Sequence, residues 1–348
     1  MAENLANREA FKRNQPPIFV VGCHRSGTNL LYDMLLSAGG FAIYRGLLPV
    51  YEKLIPHCGR LDQISNRRKA IGVFLQSEAF RRSGLNADQL RIAVMEGCRT
   101  GGDFIRIVME AVAREQGVTR WAVYNPDNIL RMPAIKRDIP DARFVHIIRD
   151  GRDIALSLSK MGGFSPLPWD RSSRSLPATA LYWKWVVERG RRQGTRMGSD
   201  YTEVHYEDLL CDPKSTLANL SRSLDHDLDY ERIQRTGLGR IRESNSSFRV
   251  EEQQTSPLNR WKSKLVPEDV ARLEALVGDC LLATGYSLVT PAGERATGVR
   301  EQWMRFEYST LLKAKLWLKS RTPAGRLSDM SQLRLEEVEA RPESERVR

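Results

Sequence analysis

The chain is predicted to be an α/β protein, and two stretches carry that prediction. In the first, the β-branched and aromatic run Ile18-Phe19-Val20-Val21 ends at Gly22, a tight polar loop follows, and an apolar helical pattern begins near Thr28. In the second, the apolar run Phe144-Val145-His146-Ile147-Ile148 stops at Arg149, and a helical pattern starts at about Asp153. A buried strand feeding a helix through a short polar turn, twice over, is the unit from which parallel sheets are built.

Composition narrows the partners. At 348 residues the chain can bury a sizeable core. Its formal charge of +11 points to anionic partners: a nucleotide, an acidic glycan, a membrane surface or nucleic acid. Nucleic acid has no further support, since there is no aromatic–basic repeat and no zinc module. The five cysteines (Cys23, Cys58, Cys98, Cys211, Cys280) are scattered without a C-x-x-C pair, which argues for a reducing compartment and against a disulfide framework. The five histidines show no ligand spacing, so no metal is expected. Met1 to Arg13 lacks the apolar core of a signal peptide, and no uncharged run approaches the ~20 residues that span a bilayer. A soluble, cytoplasmic chain is expected.

The first loop is an anion cradle by its chemistry. The N–H groups of the loop and of the first helical turn have no intrahelical partners and point at whatever lies above the helix start. Gly22 and Gly27 permit left-handed turns and close backbone approach to a phosphate or sulfate. Their spacing matches a Walker A loop, but Thr28 and Asn29 stand where Walker A continues with Lys and Ser/Thr. The cation sits inside the loop instead, as Arg25, placed to grip the far end of a 5′-substituent without a metal.

The remaining elements follow in order. Leu30, Leu31, Met34, Leu35 and Leu36 make a helix stopped by Gly39-Gly40. Phe41-Ala42-Ile43-Tyr44 reads as a short strand, and residues 47–116 as mostly helical, forming a cap over one end of the sheet. Trp121-Ala122-Val123-Tyr124 is a strand, followed by a helix through Ile129 to Arg137. At the second strand end, Asp150 or Asp153 caps the next helix. Arg149 and Ser157 converge there as a guanidinium and a hydroxyl suited to gripping a phosphate. The alternative is a salt-bridged turn among Arg149, Asp150, Arg152 and Asp153. Residues 161–177 are a candidate lid or a solvated loop. Thr202-Glu203-Val204-His205-Tyr206 is the last strand, and Asn259-Arg260-Trp261-Lys262 precedes a helix opened by Pro267. Residues 291–322 hold a C-terminal helix whose Trp303, Phe306, Leu312 and Trp317 lie among several cations. Its segment 300–319 suits peripheral membrane contact or packing on the domain or on a partner subunit. Glu307, Lys315 and Lys319 fall within its apolar side and blur the pattern. Residues 1–16 and 323–348 are expected to be disordered.

Arg25-Ser26-Gly27-Thr28 after an apolar strand resembles the 5′-phosphosulfate loop of sulfotransferases that use 3′-phosphoadenosine 5′-phosphosulfate (PAPS). Arg149-Asp150-Gly151-Arg152-Asp153 with Ser157 resembles their 3′-phosphate element. Tyr206-Glu207-Asp208-Leu209 with Asp212-Pro213, and Arg260-Trp261, also recur in that family. The likeness covers nearly all of residues 17–290, taken as the sulfotransferase domain, and is nearest the Arg-Ser-Gly-Thr subgroup of bacterial and protein-tyrosine sulfotransferases. It implies a P-loop-type three-layer sandwich, with a central parallel sheet, helices on both faces and the nucleotide across the carboxyl ends of the strands.

The resemblance also implies site roles. His24, Arg25, Ser26, Gly27, Thr28 and Asn29 belong to the 5′ end of PAPS, with Arg25 neutralising the leaving phosphate. Arg149 and Ser157 belong to the 3′-phosphate, and Tyr206 and Arg260 lie near the nucleotide. Where the subgroup often carries Glu-Lys-Thr-Pro, this chain has Val123-Tyr124-Asn125-Pro126, so the lysine expected near the sulfuryl group is absent. A glutamate common after the first helix is replaced by Tyr44-Arg45-Gly46. The general base is then Glu52, with His57 and Asp127 as alternatives. The expected activity is sulfuryl transfer from PAPS to a hydroxyl or amine acceptor, releasing 3′,5′-adenosine bisphosphate. The competing readings are a P-loop small-molecule kinase, which the missing Lys and Mg²⁺-holding Asp oppose, and a PAPS-binding protein without turnover.

Overall fold

The structure is a computed structural model that describes residues 15–161, 164–167, 171–236, 258–295 and 298–322. Four strands, β1 (Ile18–Gly22), β2 (Ala122–Tyr124), β3 (Arg143–Ile148) and β4 (Tyr201–His205), form one sheet in the order β2-β1-β3-β4. Every pairing is parallel, with Phe19 opposite Val123 and Phe144. A parallel strand is covered on both faces, and β1 is fully buried along its length. Its alternation splits the core in two: Phe19 and Val21 point into one cluster, Ile18 and Val20 into the other.

Helix α1 (Thr28–Ser37) covers the Ile18 side together with Pro213–Leu224 and Tyr230–Thr236. The opposite face is covered by α2 (Gly101–Glu115), α3 (Gly151–Lys160), α4 (Leu176–Gly194) and α5 (Pro267–Ala283). The result is the expected three-layer α/β sandwich. Helices at Ile64–Leu75, Glu78–Arg81 and Ala87–Gly97 join α2 in the cap.

Several expectations are corrected. Phe41-Ala42-Ile43-Tyr44 is not a strand: it makes one isolated bridge, Phe41 to Arg120. The Gln116 side chain takes both peptide groups of Ile43, at 2.7 and 2.8 Å, so no ladder can continue there. The helix expected from Ile129 to Arg137 is a 3₁₀ turn, Pro126–Leu130, and a separate helix, Met132–Asp138. Helix α3 starts at Gly151 rather than Asp153, because Asp150 is its cap and accepts from Arg152 N. Tyr206 is not the end of β4 but the first residue of the helix Tyr206–Cys211.

The C-terminal helix α6 runs Val299–Arg321. Its Tyr308 and Leu312 are buried against the main core, and Trp303, Phe306 and Trp317 stay exposed. No helix among the described residues is long and apolar enough to cross a membrane. Of the stretches expected to be disordered, 1–14 and 323–348 lie outside the described residues, as do 162–163 and 168–170 of the candidate lid, while residues 15–16 are described and the Pro16 carbonyl accepts from Arg120 Nε at 3.1 Å.

Candidate functional site

Everything singled out from the sequence as anion-binding sits at the carboxyl ends of β1, β3 and β4. The loop after β1 turns through a bond from Ser26 N to Cys23 O of 3.1 Å, with Arg25 (φ 72°) and Gly27 (φ 99°) in the left-handed region. Glycine is required at 27: a Cβ there would also meet Tyr206 Cδ2 at 2.4 Å. At Gly22 a Cβ would meet the Ile147 carbonyl oxygen at 2.6 Å, so the loop is seated directly on β3. Gly27 caps α1 without a side-chain bond, which leaves the first-turn N–H groups facing the loop. Ser26 is fully buried, and its Oγ has no hydrogen-bond partner among the described residues. A buried hydroxyl left unpaired costs free energy. An anion oxygen in the loop would satisfy it.

The second motif closes on the first. Arg25 Nε donates to Ser157 Oγ at 3.1 Å, and Arg149 Nη1 donates to the Arg25 carbonyl at 3.3 Å. The Arg149 guanidinium lies 4.4 Å from the centroid of the Tyr206 ring and pairs with Asp153 at 3.5 Å. Arg260 joins Arg149, Ser157 and Lys160 around one small cleft. Burial, then the neighbouring Arg149 and Arg260, lower the Arg25 pKa. Guanidiniums crowded this way favour a multiply charged anion between them.

The salt-bridged turn is present as well, and it has a different job. Arg152 is buried, bonds both carboxylate oxygens of Asp150 at 3.0 and 2.8 Å, and stacks 3.8 Å from the Trp261 ring centroid. It also reaches Glu274 of α5 at 2.5 Å. Trp261 N donates to Asp153 Oδ1 at 2.9 Å. The two Asp–Arg pairs thus divide: Arg152 holds the Arg260–Trp261 turn in place, and Arg149 faces the cleft.

A second cavity, of about 230 Å³, opens on the other side of the loop. His24 lines it and sits 3.4 Å from Asp127. Asp127 belongs to the 3₁₀ turn, whose cap Asn125 accepts from Asp127 N at 3.1 Å. Glu52 lies on a π-helical turn, Val50–Leu54, and its carboxyl shares a hydrogen bond with Asp127. Burial and the charge of Asp127 push the Glu52 carboxyl up to about 7. Burial alone would raise Asp127 as well, but His24 and the Glu52 hydrogen bond hold it well below the carboxylate range. Burial would lower His24, yet Asp127 outweighs it and the imidazole is raised. A group poised near neutrality beside a fixed ion pair is what proton abstraction needs.

The sequence candidates therefore separate. Arg25, Ser26, Gly27 and Thr28 build the loop with Arg149, Ser157, Tyr206 and Arg260 around it, while Asn29 is exposed on the first turn of α1. His24 turns away from the cationic cleft to the second cavity, where Glu52 and Asp127 meet it. His57 is not among the residues lining that cavity; Lys69 donates to its carbonyl at 3.2 Å. Arg45, in the stretch that replaces the family glutamate, pairs with Asp33 at 2.8 Å. Lys160, Arg131, Lys315 and Lys319 also line the clefts and were not anticipated from sequence. For Lys315 and Lys319 the signal was present, as two cations on the apolar side of a helical wheel. Among the described residues no group of His, Cys, Asp or Glu is placed to hold a metal ion.

A family model for the sulfotransferase family matches residues 16–230. The chain belongs to the sulfotransferase family. It is 22% identical over 298 residues to protein-tyrosine sulfotransferase 1 of Danio rerio, covering 82% of this chain and 76% of the relative. The sulfotransferase domain of the Synechococcus PCC 7002 olefin synthase superposes with a TM-score of 0.51 at 17% identity, covering 79% of this chain and 96% of that one. The sulfotransferase domain from the curacin biosynthetic pathway gives 0.50 at 13% identity, over 80% and 100%. These solved structures confirm the fold of this sulfotransferase, a parallel sheet wrapped in helices. The matched segment stops before α5 and α6, so Arg260, Lys315 and Lys319 lie beyond it.

Proposed function

We propose that this sulfotransferase takes PAPS as donor and moves its sulfuryl group to a hydroxyl or amine acceptor seated in the cavity lined by His24 and Glu52. The observation that carries the reading is the Arg25–Ser157 contact, which joins the two nucleotide motifs into one cationic cleft. The loop N–H groups, Ser26 and Arg25 would take the 5′ end, and Arg149, Arg260 and Lys160 the 3′-phosphate. A 3′-phosphate requirement selects PAPS over ATP. In the transfer, the acceptor oxygen or nitrogen attacks sulfur and its proton passes to Glu52. The sulfur–oxygen bond to the 5′-phosphate breaks with its electron pair left on that phosphate, where Arg25 offsets the charge. The exposed aromatic face of α6 suits a peripheral membrane contact.

Calorimetric titration with 3′,5′-adenosine bisphosphate in metal-free buffer tests the donor site. Wild type is expected to bind, and Arg149→Ala to weaken binding by ~1.5–3 kcal/mol, the scale of charge-assisted bonds. Unchanged affinity in the variant would remove Arg149 from the site. Tight Mg²⁺-dependent ATP binding instead would favour a kinase.

A further inference from the structure

The second cavity holds four cationic side chains and two carboxylates, and their pairing is uneven. His24 faces Asp127 at 3.4 Å and Lys319 faces Glu52 at 3.4 Å. Arg131 and Lys315 have no carboxylate within ion-pair distance among the described residues. Lys315 Nζ donates to the Pro166 carbonyl at 2.7 Å, and Glu52 and Asp127 act on Lys315 and Arg131 only at longer range. Burial lowers the pKa of both groups, the sign of cations held away from water. Such charges are costly unless something opposite arrives.

Apart from Ser165 and Pro166, the rest of the wall is apolar or aromatic: Leu130, Phe164, Tyr182, Trp185, Leu312 and Leu316. Helix α6 supplies Leu312, Lys315, Leu316 and Lys319 on successive turns of one face, so the cavity is closed by a helix outside the family-matched segment. His24 directly precedes Arg25 in the loop, and Glu52 acts on its ring, so the proton acceptor of the cavity borders the loop.

We propose that α6 completes the acceptor site, and that Lys315 with Arg131 binds an anionic group on the acceptor. The acceptor is then an amphiphilic hydroxy compound: a hydroxyl at Glu52, an apolar body along Tyr182, Trp185 and Leu316, and a carboxylate or other anion at Lys315. This rests on the reading of the cavity as the acceptor site of a PAPS-dependent enzyme.

The test uses 10-hydroxydecanoate and decane-1,10-diol, which differ only in the anionic end, titrated into the full-length protein saturated with 3′,5′-adenosine bisphosphate. Wild type is expected to bind the hydroxy acid at least tenfold more tightly than the diol. Lys315→Met should bring the two within threefold while leaving the affinity for adenosine bisphosphate unchanged, and Lys315→Arg should retain the preference. Equal binding of the two probes by wild type, or a preference that survives Lys315→Met, would overturn the proposal. Failure of wild type to bind the adenosine bisphosphate would instead overturn the donor reading on which it rests.

Discussion

Glu52 is a residue whose ionisation depends on neighbours from three separate parts of the chain. Asp127 raises it, Lys319 and Lys53 lower it, and burial is the largest influence of all. An unfolded glutamate titrates near 4.5, so the folded state binds a proton more tightly and its ionisation works against folding. The stability difference between wild type and Glu52→Gln should therefore shift against wild type as pH rises from about 4.5 through 7. Thermal denaturation of both proteins across that range measures it, and a constant difference would mean that Glu52 ionises normally. Sequence position alone nominated Glu52 and Asp127 separately. Nothing local could show that they share a hydrogen bond, since they are joined only when the 3₁₀ turn Pro126–Leu130 and the π-helical turn meet. His57, the other alternative on sequence, does not line the cavity that holds Glu52 and Asp127.

At the scale of elements, the loop between β1 and α1 was legible because its causes are local. A strand, two glycines and an apolar helix within about one dozen residues leave the chain few other paths. The Phe41–Tyr44 stretch was misread because a distant side chain, Gln116, bonds the peptide groups that a strand would have used. Helix α6 shows the same limit differently. Lys315 and Lys319 contradicted an amphipathic reading, and the contradiction disappears once their side is seen to border a cavity that also holds Glu52 and Asp127. Its other side exposes Trp303 at 64% and Phe306 at 63%, with ring centroids 6.0 Å apart. An exposed aromatic pair on a basic protein favours an anionic bilayer surface. Sedimentation with phosphatidylglycerol vesicles should carry down wild type, and Trp303→Ser with Phe306→Ser should cut partitioning at least tenfold. Equal partitioning would show that the face serves something else.

For the molecule as a whole, the Arg152 cluster is the clasp. It joins the carboxyl end of β3, the Trp261 turn and α5, and Glu274 in addition accepts from Val289 N and Thr290 N at 3.0 and 2.9 Å. Arg152 and Glu274 are both almost fully buried, so removing the guanidinium leaves two carboxylates without their cation. Arg152→Met should cost about 3–5 kcal/mol of folding stability, the penalty for breaking a buried ion pair. Urea denaturation reads this directly, and a loss under about 1 kcal/mol, within the range of an exposed pair, would show that the cluster is not what holds α5 in place. Weakened adenosine bisphosphate binding should accompany the loss, because Arg260 is adjacent to the Trp261 turn.

The amino-acid sequence by itself determined the α/β alternation, the glycine-bounded loop at residues 22–28 and the placing of Arg25 and Arg149 just beyond β1 and β3, because each depends on spacing within one strand–turn–helix unit. Tertiary structure alone decided which guanidinium faces the cleft and which is structural, and which carboxylate is tuned to neutrality. It also decided that a C-terminal helix walls the second cavity. Those outcomes are set by desolvation and by charges more than 60 residues apart, from Glu52 to Lys319, and such terms exist only once the chain has closed on itself.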